Sequence, residues 1–273
     1  MSKVEKDRVT GLIEEQLFPE TANYKANFSN VTANKQLQKR YAIHAAMTEM
    51  IDINIGKLVA ALKEEGELDN TLILFLSDNG SAAHAGNMMN TPYRGCKALM
   101  WEGGVKTPCI AYWPGVIKPG SINHSTAWIG DLLPTCLEIA GKSYPKKYRG
   151  KELKTLDGHS ILNALKGNEM LPPEYLFSND KGQQGVLYKG KWKLLIEPGW
   201  YHHTAKAEGV AYELYNLEED PAETSDLSEK QPDLVKKLSE VADGWQSDCG
   251  ILDYGEILKI RPNHSKLYNV SKK

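Results

Sequence analysis

Leu72-Ile73-Leu74-Phe75-Leu76-Ser77-Asp78-Asn79-Gly80 is the stretch that decides the fold. Five apolar residues run without a polar interruption and then give way to small polar ones. A strand that does not alternate is expected to be buried on both faces, as a parallel strand inside an α/β sheet is. The residues before it agree. From Gln38 onward, Ile43, Met47, Met50, Ile51, Ile55, Leu58, Val59 and Leu62 recur at three- and four-residue steps. That spacing predicts one face of a long amphipathic helix, which Gly66 ends. Helix, short turn and all-apolar strand together read as a crossover helix feeding a parallel strand.

On the far side of the strand, residues 77–107 are rich in Gly, Asn, Ser and Ala and too long for an ordinary connection. Long ordered loops in that position carry function. Residues 108–113 predict a further strand, closed by Pro114-Gly115. Ile129, Leu132, Leu133, Cys136, Leu137 and Ala140 predict a helix with Asp131 as its N-cap, Pro134 in its first turn and Gly141 as its stop. After Gly167 the pattern changes. Residues 174–178, 185–189, 191–196 and 211–216 are short, aromatic and β-branched, with a Lys189-Gly190-Lys191 turn. They predict a small antiparallel sheet, on which a helix bearing Leu234, Leu238, Val241 and Trp245 packs. The expected organisation is the C-terminal portion of an α/β domain over residues 1–167 and a small α+β subdomain over 168–273. Residues 1–40 show no usable period.

The composition is that of a globular protein, with 41% hydrophobic and 25% charged residues. A formal net charge of −2 gives no general attraction to nucleic acid or anionic lipid, so recognition of any anion must be local. No run of about 18 apolar residues is present to span a membrane, and residues 1–16 lack the apolar core of a signal peptide. The four cysteines, Cys96, Cys109, Cys136 and Cys249, show no CxxC spacing; Cys109 and Cys136 lie in apolar runs and are expected as buried thiols. Asn27, Asn30, Asn123, Asn263 and Asn269 open Asn-x-Ser/Thr triplets, which permit secretion in a glycosylating host.

In a parallel α/β sheet, ligands gather beyond the carboxyl ends of the strands, and Asp78-Asn79-Gly80 sits there. A carboxylate and an amide carbonyl are hard oxygen donors suited to Ca²⁺ or Mg²⁺. The same tripeptide is also an ordinary turn former. Seven downstream segments narrow the choice: Tyr93-Arg94-Gly95-Cys96-Lys97, Trp101-Glu102-Gly103-Gly104-Val105-Lys106-Thr107-Pro108, Trp113-Pro114-Gly115, Asp131-Leu132-Leu133-Pro134-Thr135, Leu156-Asp157-Gly158, Gly190-Lys191-Trp192-Lys193-Leu194 and Glu213-Leu214-Tyr215-Asn216-Leu217-Glu218-Glu219-Asp220-Pro221.

In order and spacing, over roughly residues 38–245, these segments resemble the type I sulfatases of the alkaline-phosphatase superfamily. The resemblance implies an alkaline-phosphatase-like α/β domain and a small C-terminal antiparallel sheet. It implies hydrolysis of sulfate esters, aryl or glycan, in a periplasmic, secreted or lysosomal setting. By the same resemblance Asp78 and Asn79 ligate Ca²⁺, and Lys97 contacts the sulfate, although Cys96 stands where the family has a second glycine. An ammonium there would neutralise charge on the sulfuryl oxygens as the ester bond breaks. His84, in the same loop, is a further catalytic candidate that the family pattern does not fix. Arg94 is expected to hold the loop by hydrogen bonds, and Trp101, Trp113 and Trp192 to serve in packing.

The family's nucleophile is a formylglycine made from the Cys or Ser of a C/S-x-P/A-x-R motif, a covalent catalyst of special reactivity. The arginines here are Arg8, Arg40, Arg94, Arg149 and Arg261, and none has Cys or Ser four residues earlier. The chain therefore reads as part of a longer protein or a truncated product, with the N-terminal part of the same protein as its partner. Two other readings stay open: a phosphoesterase of the same superfamily, and a non-catalytic sulfatase-like chain that binds sulfated glycans.

Overall fold

The computed structural model describes residues 35–81, 90–180, 182–198, 210–252, 256, 259 and 260. In chain order the elements are α1 (Lys35–Glu64), β1 (Ile73–Leu76), α2 (Glu102–Val105), β2 (Cys109–Tyr112), α3 (Leu132–Ile139), β3 (Lys147–Tyr148), β4 (Lys151–Glu152), α4 (Leu162–Leu165), β5 (Tyr175–Asp180), β6 (Gln183–Tyr188), β7 (Trp192–Ile196), β8 (Tyr212–Asn216) and α5 (Pro232–Cys249). They fall into two compact units. Residues 1–46, 79–107 and 174–273 form one, and residues 47–78 and 108–173 the other. The long loop after β1 thus belongs with the C-terminal sheet.

The first unit is built on one sheet in the order β5-β6-β7-β8, antiparallel throughout. All four predicted strands are present. Lys189 and Gly190 both take positive φ, 50° and 67°, in the three-residue Lys189-Gly190-Lys191 connection of β6 to β7, which is closed by the Lys191 N–H on Tyr188 O (3.1 Å). Alternation along β7 then assigns its two faces. Leu194 and Ile196 join Val186 and Leu214 against Leu238 and Ala242 of α5 in one buried cluster. Leu195, from the opposite face, packs with Tyr215 against Cys96, Leu99, Met100 and Trp101. Phe177 stacks on Trp245 of α5 with ring centroids 4.8 Å apart, and Gly250, at φ 65°, ends that helix in the left-handed conformation.

The helix expected from Gln38 onward is α1, whose residues 35–46 fall in the first unit and 47–64 in the second, and β1 forms where the apolar run predicted a strand. Its neighbour among the described residues is β2, in antiparallel register, with Ile73 opposite Tyr112 and Phe75 opposite Ile110. This corrects the parallel pairing expected for β1. An all-apolar run marks two faces suited to burial and says nothing about a neighbour's direction. Nor is β1 itself buried, since Phe75 is exposed. Phe75, Ile110 and Tyr112 share one face of the ribbon and are all exposed, as are Met47, Met50, Ile51 and Leu58 of α1. The same openness corrects the expectation of buried thiols: Cys109 and Cys136 are exposed, and the buried cysteine is Cys96.

Asp131 stands at the start of α3 but does not cap it with its side chain. Its carboxylate instead accepts the N–H of Trp128 (2.9 Å) and of His159 (2.8 Å). Thr135 donates to Asp131 O (2.6 Å) and accepts the N–H of Ile161 (2.9 Å). The Asp-Leu-Leu-Pro-Thr segment is thereby stapled to residues 159–161. Asn123 uses its side-chain amide on the carbonyls of Ala164 and Asn168.

A two-stranded ribbon with no further strand beside it among the described residues, and with an apolar face exposed, is a surface that associates. Sedimentation of the isolated chain should show concentration-dependent oligomers, and the double change Phe75→Ser with Ile110→Ser should shift it toward monomer. A wild-type chain that stays monomeric at high concentration would contradict this reading.

Candidate anion and cation site

Residues 90–104 fold into a tight corner because glycines allow its strands of backbone to touch. A Cβ on Gly103 would collide with the carbonyls of Arg94 and Gly95, and one on Gly104 with those of Leu99 and Cys96. Gly103 donates to Arg94 O (2.6 Å) and Gly104 to Trp101 O (2.8 Å). The turn after β1 is tied to the same corner. Gly80 donates to Gly104 O (2.9 Å), and Lys97 donates its backbone N–H to Ser81 O (3.0 Å). Asn90 adds two more links, accepting from Ser81 N–H and donating to Gly95 O, each at 3.0 Å. The backbone that carries Asn79 and the backbone that carries Lys97 are therefore hydrogen-bonded neighbours.

The C-terminal sheet holds this corner from below through side chains of one face. Glu213 and Tyr215, two residues apart on β8, point the same way. Arg94 donates to the Tyr215 hydroxyl (2.8 Å) and to Glu213 (3.2 Å), and Trp101 donates its indole N–H to Glu213 (2.8 Å). The guanidinium also lies 4.3 Å from the Trp101 ring centroid. Burial, with the Glu213 carboxylate close by, pushes the Tyr215 phenol well up, so it stays protonated and donates to Glu213 at 2.7 Å. The holding role expected of Arg94 is what the geometry shows.

Beside this network lies a charge cluster that sequence reasoning missed. Lys193 faces the loop from β7 with only 4% of its side chain exposed; its ammonium is 2.8 Å from Glu102 and 2.9 Å from Glu223. Glu223 also accepts the backbone N–H of Glu102 at 2.6 Å. Its side chain is wholly buried, and its backbone takes the left-handed φ of 58° that few non-glycine residues adopt. The signal was present in the sequence: a lysine inside an apolar strand, at a position whose alternation turns it inward.

The structure places the candidate residues unevenly. Lys97 is exposed, and among the described residues no ion pair engages its ammonium, in contrast to buried, doubly paired Lys193. Asp78 is exposed and Asn79 half-buried, at the carboxyl end of β1. His84 lies outside the described residues. Among those described, no group of three or more His, Cys, Asp or Glu side chains is arranged to hold a metal ion. Asp78 and Asn79 supply hard oxygen donors, the right chemistry for Ca²⁺, but only part of the six to eight such an ion takes.

Glu223 makes a pH prediction. Burial raises its carboxyl above the usual range; Lys193 and the Glu102 N–H act in the opposite direction and do not cancel it. A carboxyl with a raised folded-state pKa binds its proton more tightly in the folded chain. Its contribution is therefore most favourable in acid and is lost as pH rises from the unfolded value, about 4.3, through the raised one. Glu223→Gln should flatten that part of the stability–pH curve in denaturant melts at successive pH values. An identical slope in the variant would contradict the assignment.

Comparison with known proteins agrees with the motifs. The sulfatase family model matches residues 15–142, and the model for the C-terminal part of N-sulphoglucosamine sulphohydrolase matches residues 96–244. An uncharacterized sulfatase of Schizosaccharomyces pombe is 26% identical over 92% of this chain and 52% of its own length. Human arylsulfatase A is 31% identical over 65% of this chain and 37% of its own. Human N-acetylgalactosamine-6-sulfatase is 34% identical over 52% of this chain and 27% of its own. The chain thus spans about half or less of the length of these relatives. Among solved structures, Ps i-CgsB in complex with k-i-k-neocarrahexaose superposes with a TM-score of 0.62 at 28% identity, covering 83% of this chain and 48% of that one. The fold is the α/β fold of these proteins, and no described helix is long and apolar enough to cross a membrane. On the match of motifs, family models and fold, the chain belongs to the sulfatase family.

Proposed function

We propose that this chain is the C-terminal part of a sulfuric ester hydrolase, in which Lys97 binds the sulfate and Asp78 and Asn79 contribute oxygen ligands to Ca²⁺. The observation that carries the reading is the contrast between Lys97 and Lys193, both in the first unit. Lys193 is buried and neutralised, whereas Lys97 is exposed, without an ion pair among the described residues, on a loop pinned at many points. A preorganised cation on a rigid loop is what an anion site requires, because no reorganisation is needed when charge develops on the sulfuryl oxygens. Bound Ca²⁺ would supply a second positive charge facing the same anion. Asp78 and Asn79 would hold it from the turn whose Gly80 N–H is fixed to Gly104 O.

The substrate class is a sulfated sugar or an aryl sulfate. Two similar proteins carry names of those kinds, N-acetylgalactosamine-6-sulfatase and arylsulfatase A. The nucleophile would come from outside these residues, since no C/S-x-P/A-x-R motif occurs among them. The exposed faces of β1, β2 and α1 are apolar surface for the N-terminal part of the same domain to cover, in keeping with relatives about twice as long. The missing motif also suits a non-catalytic binder of sulfated glycans.

Residues 1–273 assayed with an aryl sulfate and added calcium should show no turnover. A chain carrying the same residues behind a sulfatase N-terminal half should turn over, and Lys97→Ala in it should lower kcat on the order of 10²-fold. Turnover by residues 1–273 alone would place a nucleophile within them and refute the division of labour. An unchanged kcat in Lys97→Ala would remove the sulfate-binding role. Folded, metal-loaded but inactive full-length protein would favour the glycan binder.

A further inference from the structure

We propose that Glu102, Lys193 and Glu223 form a positioning device that sets the Lys97 loop on the C-terminal sheet, with Lys193 as its centre. The three come from separate parts of the chain: the loop corner, β7, and the turn after Asp220-Pro221. They meet out of water, where the Lys193 ammonium donates to Glu102 at 2.8 Å and lies 2.9 Å from Glu223. Glu102 is held twice, by its carboxylate on Lys193 and by its backbone N–H on Glu223. A residue gripped at both backbone and side chain cannot slide or rotate.

That grip is transmitted to Lys97 through backbone. Gly103 and Gly104, the next two residues, lie against the carbonyls of Arg94, Gly95, Cys96 and Leu99 with no room for a Cβ. Lys97 sits in the middle of the segment they press on. A shift of Glu102 by an ångström therefore moves the Lys97 backbone and strains the Gly80–Gly104 hydrogen bond that ties down the Asn79 turn. Buried ion clusters contribute little net stability compared with well-packed apolar side chains, because desolvation offsets the attraction. Three buried charges meeting at this one place, where they add little to net stability, are accounted for by placement of the loop. The Arg94–Glu213–Tyr215 network fixes the corner at its other end, so the loop is clamped on both sides of Lys97.

The proposal rests on the reading of Lys97 as the sulfate-binding residue for its purpose, but its test does not, because amide exchange reports loop placement whether or not an anion binds. Hydrogen exchange is followed in residues 1–273 at the amides of Gly80, Lys97, Gly103 and Gly104, with Leu194 of β7 and Leu238 of α5 as controls. Lys193→Met should speed exchange at the four loop amides about tenfold or more and leave the controls within about twofold. Lys193→Arg, which keeps the charge, should restore protection. Glu102→Gln alters only the loop's end of the cluster and leaves the Lys193–Glu223 pair in place. It should speed the same four amides about threefold or more, and it decides the matter if Lys193→Met does not fold. Unchanged loop exchange in the variants, or faster exchange spread equally over β7 and α5, would overturn the proposal. A sulfate-binding defect in Lys97→Ala with normal loop exchange would bear on the function alone.

Discussion

The structure depends most on β7 being buried on both sides while carrying a charge on one of them. Its alternation sends Leu194 and Ile196 into the cluster under α5, and Leu195 and Lys193 toward the loop after β1. One four-stranded sheet thereby has two clients: a helix that it stabilises by apolar contact, and a loop that it places by both apolar contact and charge. A strand with a single buried face would support the helix and leave the loop to solvent. This is why residues 79–107 fold with residues 174–273 and not with the strand directly before them.

Much of this was legible in the sequence. The helix over residues 35–64, the four C-terminal strands, the Lys189-Gly190 turn and the C-terminal helix arise from local periodicity and turn chemistry, which act over a few residues. Pairing direction was less accessible. Leu72 to Leu76 announced a strand with two apolar faces, but whether its neighbour runs with it or against it depends on β2, more than thirty residues on. Burial of Cys109 and Cys136 was misjudged for the same reason: an apolar run implies a covering surface without saying where that surface is. At the site, Arg94 was read as a loop holder because its motif named it. Lys193, Glu102 and Glu223 are not legible as a cluster, since nothing local in a sequence shows that residues 91 and 121 positions apart meet.

Lys97 and Lys193 show one residue type in two opposite environments. An ammonium buried between two carboxylates has its charge used up in placement and cannot serve a ligand. Lys97 is instead exposed, on a loop whose backbone is fixed by Gly103, Gly104 and Ser81, and no ion pair engages it among the described residues. Asp78 and Asn79 stand at the carboxyl end of β1, the first exposed and the second half-buried. Phe75, Ile110 and Tyr112 leave an exposed apolar face on the β1–β2 ribbon.

The most direct measurement is an NMR titration of ¹⁵N-labelled chain with N-acetylgalactosamine 6-sulfate at low ionic strength, using the unsulfated sugar as control. The account predicts shifts centred on the amides of Lys97 and its hydrogen-bonded neighbours Ser81 and Gly104, absent with the control sugar and abolished by Lys97→Ala. Equal shifts from the unsulfated sugar, or sulfate-dependent shifts that survive Lys97→Ala, would contradict it.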